Sequence, residues 1–127
     1  MAYSQTIRRL SKVEGIDAKV VATHTLFTCP TNTDVYITHA IITASTANTV
    51  TQRPVMGIGI ATGEDDMFSS RALTGFTASN SVYTFTSFAN AVGGSAGDVI
   101  KLGIDNGSTA TTHTIVVELF GWMRQTL

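Results

Sequence analysis

The stretch "TLFTCPTNTDVYITHAIITAST", residues 25–46, decides the fold class. It contains two apolar runs, separated by a short polar segment that follows a proline, and many of its positions are Thr, Val or Ile. β-Branched residues suit a pleated surface, whereas Asn and Asp favour turns and Pro ends a strand. The stretch therefore predicts two strands, joined as a hairpin by a turn over residues 31–34.

Segments with the same two-residue period follow along the chain. In the second strand of the hairpin, the alternation predicts one face formed by Val35, Ile37, His39 and Ile41. Further strands are predicted over residues 53–61, 81–89, 99–105 and 111–123, with a weaker one over residues 67–76. Between the last two strong segments, Asn106-Gly107 is a typical hairpin turn, because both residues adopt positive φ readily.

Six to eight strands without a convincing helix predict an all-β chain, an antiparallel β-sandwich of the jelly-roll type. In the segment that contains Met56, Ile58 and Ile60, glycines occupy the alternate positions 57 and 59. Such glycines indicate that another backbone or a large ring approaches this strand closely. The aromatic residues are expected mostly in the core, with some lining a symmetric contact: Phe85, Phe88, Phe120 and Trp122.

Length and composition limit the possibilities further. The chain has 127 residues, which suits one domain, and only 13% of them are charged, about half the usual share. Thr and Ser take the surface positions that charged residues normally fill. This composition is typical of a surface covered in an assembly, and it also fits the ordinary Thr enrichment of β proteins.

The charge pattern excludes several classes of partner. The net charge is −1, which provides no strong field for nucleic acid or an anionic membrane. No apolar run approaches the length of about 20 residues that spans a bilayer. We therefore expect neither nucleic acid nor membrane as a partner, and the single cysteine, Cys29, allows no intrachain disulfide.

The first nineteen residues differ from the rest, because they are polar and hold half of the eight basic side chains. We interpret residues 1–19 as an extended N-terminal arm and residues 20–127 as the β-sandwich domain. The arm is expected to dock on another protein chain, with apolar anchors and basic residues meeting carboxylates. The predicted interface residues are Ile7, Arg8, Arg9, Leu10 and Lys12.

No residue pattern predicts catalysis or a cofactor. His24, His39 and His113 could form a zinc site, but none of them has a close ligand spacing, so hydrogen-bonded strand histidines are expected instead. No base or orienting group neighbours Cys29, which indicates a half-buried thiol. The acidic run from Glu64 to Asp66 is too compact for a calcium loop. We expect no enzyme, no metal and no cofactor.

Two segments carry a resemblance to known proteins. Leu26, Phe27, Thr28 and Pro30, followed by the aliphatic strand over residues 35–42, resemble a segment of small virion proteins of tailed phages. The ending, "AGDVIKLGI" and then "TIVVELFGWM", is similar to trimeric jelly rolls of the complement globular-head and tumour-necrosis-factor type. The resemblance implies a trimeric jelly roll with a structural role, and it carries over no functional residue.

From these features we expect a non-enzymatic structural component of a phage particle, most simply a capsid decoration (cement) protein that clamps capsid subunits together. The expected partners are further copies of the chain, as a homotrimer, and the major capsid protein or other virion proteins. The expected location is the virion, after synthesis in the host cytoplasm. The alternatives are a tail, baseplate or receptor-binding component, a carbohydrate-binding jelly-roll module, and a cupin-like barrel enzyme that uses His24 and His39.

Overall fold

A computed structural model of the chain describes residues 6–62, 64–86 and 92–126, and within them it contains nine β-strands and no helix. The strands are β1 (Arg8–Asp17), β2 (Ala22–Thr28), β3 (Thr33–Asn48), β4 (Val55–Gly59), β5 (Phe68–Ala72), β6 (Val82–Thr86), β7 (Val92–Gly94), β8 (Val99–Asn106) and β9 (Thr112–Gln125). The predicted all-β fold is confirmed.

The strands form two antiparallel sheets. The larger sheet has the order β1-β9-β3-β6, with β7 also paired to β3, and the smaller sheet has the order β2-β8-β4-β5. The pairs are therefore nested: β1 with β9, β2 with β8, β3 with β6 and β4 with β5. A long antiparallel ribbon wrapped into two sheets has this nesting, which is the topology of a jelly roll.

The core lies between the two sheets and follows from the alternation along each strand. On β8 the inward residues are Ile100, Leu102 and Ile104, and on β9 they include Ile115, Val117 and Leu119; all six are buried. Both sets occupy alternate positions of their strands, as the two-residue period requires. Glu118 and Phe120 of β9 lie on the opposite, outer face, because adjacent residues of a strand point to opposite sides.

On β3 the predicted face is correct only for the first half of the strand. Its pairing with β9 shifts by one residue between Ile37 and His39. Because the side-chain period is two, this bulge exchanges the two faces beyond it. Ala40 and Ile42 are consequently buried, whereas His39 and Ile41 lie on the outer face.

The two predicted hairpins are wrong, although their strands exist. β2 belongs to the smaller sheet and β3 to the larger one, and the same division separates β8 from β9. The turns therefore carry the chain from one sheet to the other. Gly107 has no positive φ; it is needed because a Cβ there would lie 1.9 Å from the carbonyl oxygen of Lys19.

The predicted N-terminal arm also differs from the structure in the described residues. Residues 8–17 form β1, the edge strand of the larger sheet, which pairs along β9 from Arg8↔Gly121 to Asp17↔Thr114. Ile16 is buried in the core. Two register shifts interrupt β1, one of them at Gly15 with φ +73°. These irregularities mask the two-residue period, so the segment looks like an arm in the sequence. Residues 1–5 lie outside the described residues.

The expected close approach to the glycines of β4 is confirmed. The loop between β4 and β5 folds over the outer face of the smaller sheet, where the Asp66 carboxylate accepts hydrogen bonds from the backbone N–H groups of Ile60 and Ala61, at 2.7 and 3.3 Å. A Cβ on residue 59 would lie 1.9 Å from Asp66 Oδ1 and 2.8 Å from the Asp66 backbone nitrogen. Only glycine leaves room for this loop.

We predict that Gly59→Ala destabilises the protein by about 1–3 kcal/mol, because the added methyl group forces the loop off the sheet. Urea unfolding followed by circular dichroism measures the loss. Ala61→Ser, in the same loop but exposed, is the control and should change stability by less than about 0.5 kcal/mol. An unchanged unfolding midpoint for Gly59→Ala would contradict the packing described above.

His113 is the one fully buried histidine in the described part of the chain. Its Nδ1 lies 2.8 Å from Ser108 Oγ, its ring packs 5.2 Å from the ring of Phe76, and its Nε2 has no hydrogen-bond partner among the described residues. Burial lowers the pKa of His113 below the usual 6.5, and the nearby Asp17 carboxylate offsets this only in part. The folded protein therefore favours the neutral ring.

This burial predicts a pH dependence. Since the pKa of His113 is lower in the folded than in the unfolded chain, the unfolded chain binds more protons below about pH 6.5, and the free energy of unfolding falls as the pH decreases below that value. His113→Gln should flatten this part of the stability curve, measured by urea unfolding between pH 7.5 and 5. The control Phe85→Leu should lower stability but keep the slope. An equal slope for His113→Gln and wild type would refute the prediction.

Candidate interaction surface

The outer face of the larger sheet carries a cluster of large side chains that do not belong to the core. It is formed by the outward residues of β3 and β9, the two longest strands. We call this cluster the aromatic face: Tyr36, His39, Ile41, Val116, Phe120 and Trp122. All six side chains are half-buried, and none of them belongs to the core cluster.

Two stacked ring pairs define the geometry of the aromatic face. Tyr36 and Trp122 are cross-strand neighbours whose ring centroids lie 4.2 Å apart with an interplanar angle of 18°. His39 and Phe120 form the second pair, at 4.6 Å and 4°. Aromatic cross-strand pairs stabilise a sheet and hold each other in one orientation. The face is therefore preorganised, and little side-chain entropy remains to be lost on binding.

Ion pairs flank the two stacked ring pairs along β9: Asp34–Arg124 lies beyond Trp122, and Glu118, paired with Arg9, lies between Phe120 and Val116. Arg124 Nη2 lies 3.0 Å from Asp34 Oδ2, and the same guanidinium carbon lies 5.7 Å from the centre of the Tyr36 ring. Arg9 Nη1 lies 3.0 Å from Glu118 Oε2. Aromatic residues and Arg are enriched in protein interaction surfaces. The pairs themselves are partly exposed to solvent and contribute little to stability.

The predicted interface residues at the N-terminus fall into three groups. Leu10 is half-buried and packs against the core. Arg9 pairs with Glu118, and Lys12 Nζ lies 3.1 Å from Glu14 Oε1. Ile7, 52% exposed, and Arg8 remain on the surface. Of the five predicted residues, these last two are the ones that are exposed and form no ion pair within the described part of the chain.

The other polar candidates do not come together. Among the described residues, no group of three His, Cys, Asp or Glu side chains is placed to hold a metal ion. Cys29 is buried, and desolvation, followed by the charge of Asp98, raises the pKa of its thiol above the usual value. The neutral thiol is a poor nucleophile, because the thiolate is the reactive form.

The chain is similar in fold to chains from two phage capsid structures. One is a chain in the acidic stable capsid structure of Helicobacter pylori bacteriophage KHP30, with a TM-score of 0.60, 11% identity, and coverage of 94% of this chain and 93% of that chain. The other is a chain in the capsid asymmetric unit of cyanophage Pam1, with a TM-score of 0.57, 12% identity, and coverage of 96% and 88%. No protein-family model and no curated protein sequence matches the chain.

The sequence predicts the positions of the aromatic residues only in part. Phe85 is buried, as expected, and Phe88 lies outside the described residues. Phe120 and Trp122, expected mostly in the core, lie on the outer face. The alternation of β9 already indicated this, because Ile115, Val117 and Leu119 fix the inward positions. His39 joins the face only through the bulge in β3, which no local pattern predicts.

The aromatic face predicts a contrast between two Phe→Ala substitutions. Phe85→Ala removes a core ring and should cost about 3–5 kcal/mol. Phe120→Ala removes an outer ring and its stack, worth about 0.5–1.5 kcal/mol beyond the lost area, so its total cost should be clearly smaller. Urea unfolding of both variants measures the difference. Equal losses would show that Phe120 serves the core rather than the surface.

Proposed function

We propose that this chain is a structural component of a phage particle, specifically a capsid decoration (cement) protein that clamps capsid subunits together. The similarity in fold to chains from two phage capsid structures carries the proposal. Since coverage is nearly complete on both sides, the matched chains have nearly the same length as this one. The shared architecture therefore extends over nearly all of each matched chain.

The aromatic face supplies the proposed contact. Its two stacked ring pairs are held in fixed orientations, and the Asp34–Arg124 and Arg9–Glu118 ion pairs flank them along β9. Aromatic anchors surrounded by polar contacts dominate the binding energy of protein interfaces. Seated on a junction between shell subunits, this face would make contacts that exist only in the assembled particle. Such contacts stabilise the assembled state by mass action.

Low charge supports the same proposal. Only 13% of the residues are charged, so much of the surface is inexpensive to remove from water, whereas buried charges are costly. A homotrimer would cover part of this surface and would present several copies of the aromatic face at once. Several weak contacts on one particle then give strong overall binding. The exposed Ile7 and Arg8 are proposed to contribute to the same assembly.

The proposal is tested on particles of the phage that carries this coding sequence. Mass spectrometry of purified particles should detect the chain at many copies per particle. Recombinant protein added to undecorated particles should sediment with them, and Phe120→Ala and Trp122→Ala should weaken that binding about 10- to 100-fold, as for anchors of an interface. The control is Phe27→Ala, a half-buried aromatic on β2 of the smaller sheet, which should bind like wild type.

Two results would contradict the proposal. Absence of the chain from purified particles would exclude a role in the mature virion. Binding to tail fragments but not to shells would replace the capsid role by a tail or baseplate role. If Phe27→Ala weakens binding as much as Phe120→Ala, the shell contacts the smaller sheet and the aromatic face is not the clamp.

A further inference from the structure

A cavity of about 260 Å³ opens on the outer side of the smaller sheet, away from the aromatic face. It lies between the start of β2, the end of β8 and the loop that follows β4. Its lining consists of residues 21–23, residues 103–105 and Glu64. The floor is Gly103, where a Cβ would come within 2.8 Å of Glu64 Cβ; glycine thus lets the Glu64 side chain lie flat at the bottom.

The lining of the cavity combines apolar and acidic chemistry. Val21 is 65% exposed at its rim, and the adjacent Val20 is 52% exposed. Two carboxylates, Glu64 and Asp105, line the cavity, and no basic side chain does. Thr23 Oγ1 donates a hydrogen bond of 2.8 Å to Glu64 Oε1, which fixes that carboxylate, whereas the Asp105 side chain is exposed. A cationic group with an adjacent aliphatic side chain fits this combination.

The start of β1 offers the complementary chemistry. Ile7 is 52% exposed, and Arg8 beside it is exposed as well. No ion pair or hydrogen bond engages the Arg8 side chain among the described residues. The pair therefore presents one apolar and one cationic side chain next to each other.

The start of β1 cannot reach the cavity of its own molecule. β1 runs from Arg8 to Asp17, and β2 begins at Ala22, after a short reversal. The cavity therefore lies near the end of β1, and a ten-residue strand places its two ends ~30 Å apart. Any contact between Ile7–Arg8 and the cavity must join two different copies of the chain.

We propose that the cavity of one copy receives Ile7 and Arg8 of a second copy, with Ile7 against Val20 and Val21 and the Arg8 guanidinium on Asp105 and Glu64. The two contact surfaces lie at opposite ends of the protomer, so the interface is heterologous. A heterologous interface closes into a ring when its rotation allows. This inference rests on the proposed function, because it supplies the contact that builds the proposed trimer.

A charge exchange tests the proposal. Arg8→Glu and Asp105→Arg should each weaken self-association about tenfold or more, because each places like charges together. The combination Arg8→Glu with Asp105→Arg should restore association to within about threefold of wild type, since the exchanged charges again attract. Sedimentation equilibrium of the full chain, at low and high salt, measures the association constants.

Matched controls lie outside the proposed contact. Arg53→Glu and Asp65→Arg change exposed charges by the same amount but do not line the cavity, so they should leave the association constant near that of wild type. Circular dichroism verifies that each variant is folded. If a charge-reversal variant does not fold, the neutral variants Arg8→Gln and Asp105→Asn are measured instead. Each of them, as a single substitution, should weaken self-association.

Three results would overturn the proposal. The first is a wild-type chain that is monomeric at about 100 μM, above the Kd expected for a stable oligomer. The others are a double variant that self-associates as weakly as the single variants, and control variants that weaken self-association as much as Arg8→Glu and Asp105→Arg do. The particle-sedimentation assay separates this failure from that of the proposed function. If the wild-type protein binds particles and the Arg8→Glu variant self-associates normally, the capsid role stands and the proposed contact is wrong.

Discussion

The antiparallel pairing of β3 with β9 is the interaction on which the rest of the structure depends. It runs from Thr33↔Gln125 to Asn48↔Thr112, and β9 carries β1 on its other edge. The inner side of this ladder forms much of the core, while the outer side holds the aromatic face. One pairing therefore fixes both the stability of the sandwich and the surface that it presents.

A single extra residue in this ladder determines the composition of the outer surface. Without the bulge between Ile37 and His39, the alternation from Val35 onward would direct His39 and Ile41 into the core. The bulge instead places Ala40 and Ile42 inside and stacks His39 on Phe120 at 4.6 Å. A bulge that re-aims side chains is a common feature of functional surfaces, and here it extends the stacked aromatic pairs along the strand.

The sequence predicts strands and their faces well, because the two-residue alternation reports local exposure. Along β8 and β9 the alternation is uninterrupted, and Ile104 and Ile115 lie inside. Strand pairing is not visible in that pattern: a short polar turn serves a hairpin and a crossing between sheets equally well, and Gly107 is compatible with both. Glycine is required at position 107 because the backbone carbonyl of Lys19 lies close to it. Lys19 is 88 positions away in the sequence, so no local pattern indicates this contact.

The sequence predicts the aromatic face less completely than the strands, for a related reason. The aromatic face combines residues from two strands that are distant in the sequence, and His39 enters it only through a bulge. Conversely, the predicted arm over residues 1–19 contained two residues, Ile7 and Arg8, that the fold leaves exposed. Leu10 and Arg9, predicted to contact another chain, make contacts within their own domain: Leu10 packs against the core and Arg9 pairs with Glu118.

The edge strand β1 shows which kind of association the fold permits. An unprotected edge would offer a row of unpaired backbone groups to any strand. In β1 two register shifts, Gly15 at positive φ, and the basic side chains of Arg9 and Lys12 interrupt that row. Continuation of the sheet into a neighbouring copy is therefore disfavoured at this edge. Association through this side of the larger sheet then depends on side chains, such as those of the aromatic face and of Arg8, rather than on backbone pairing.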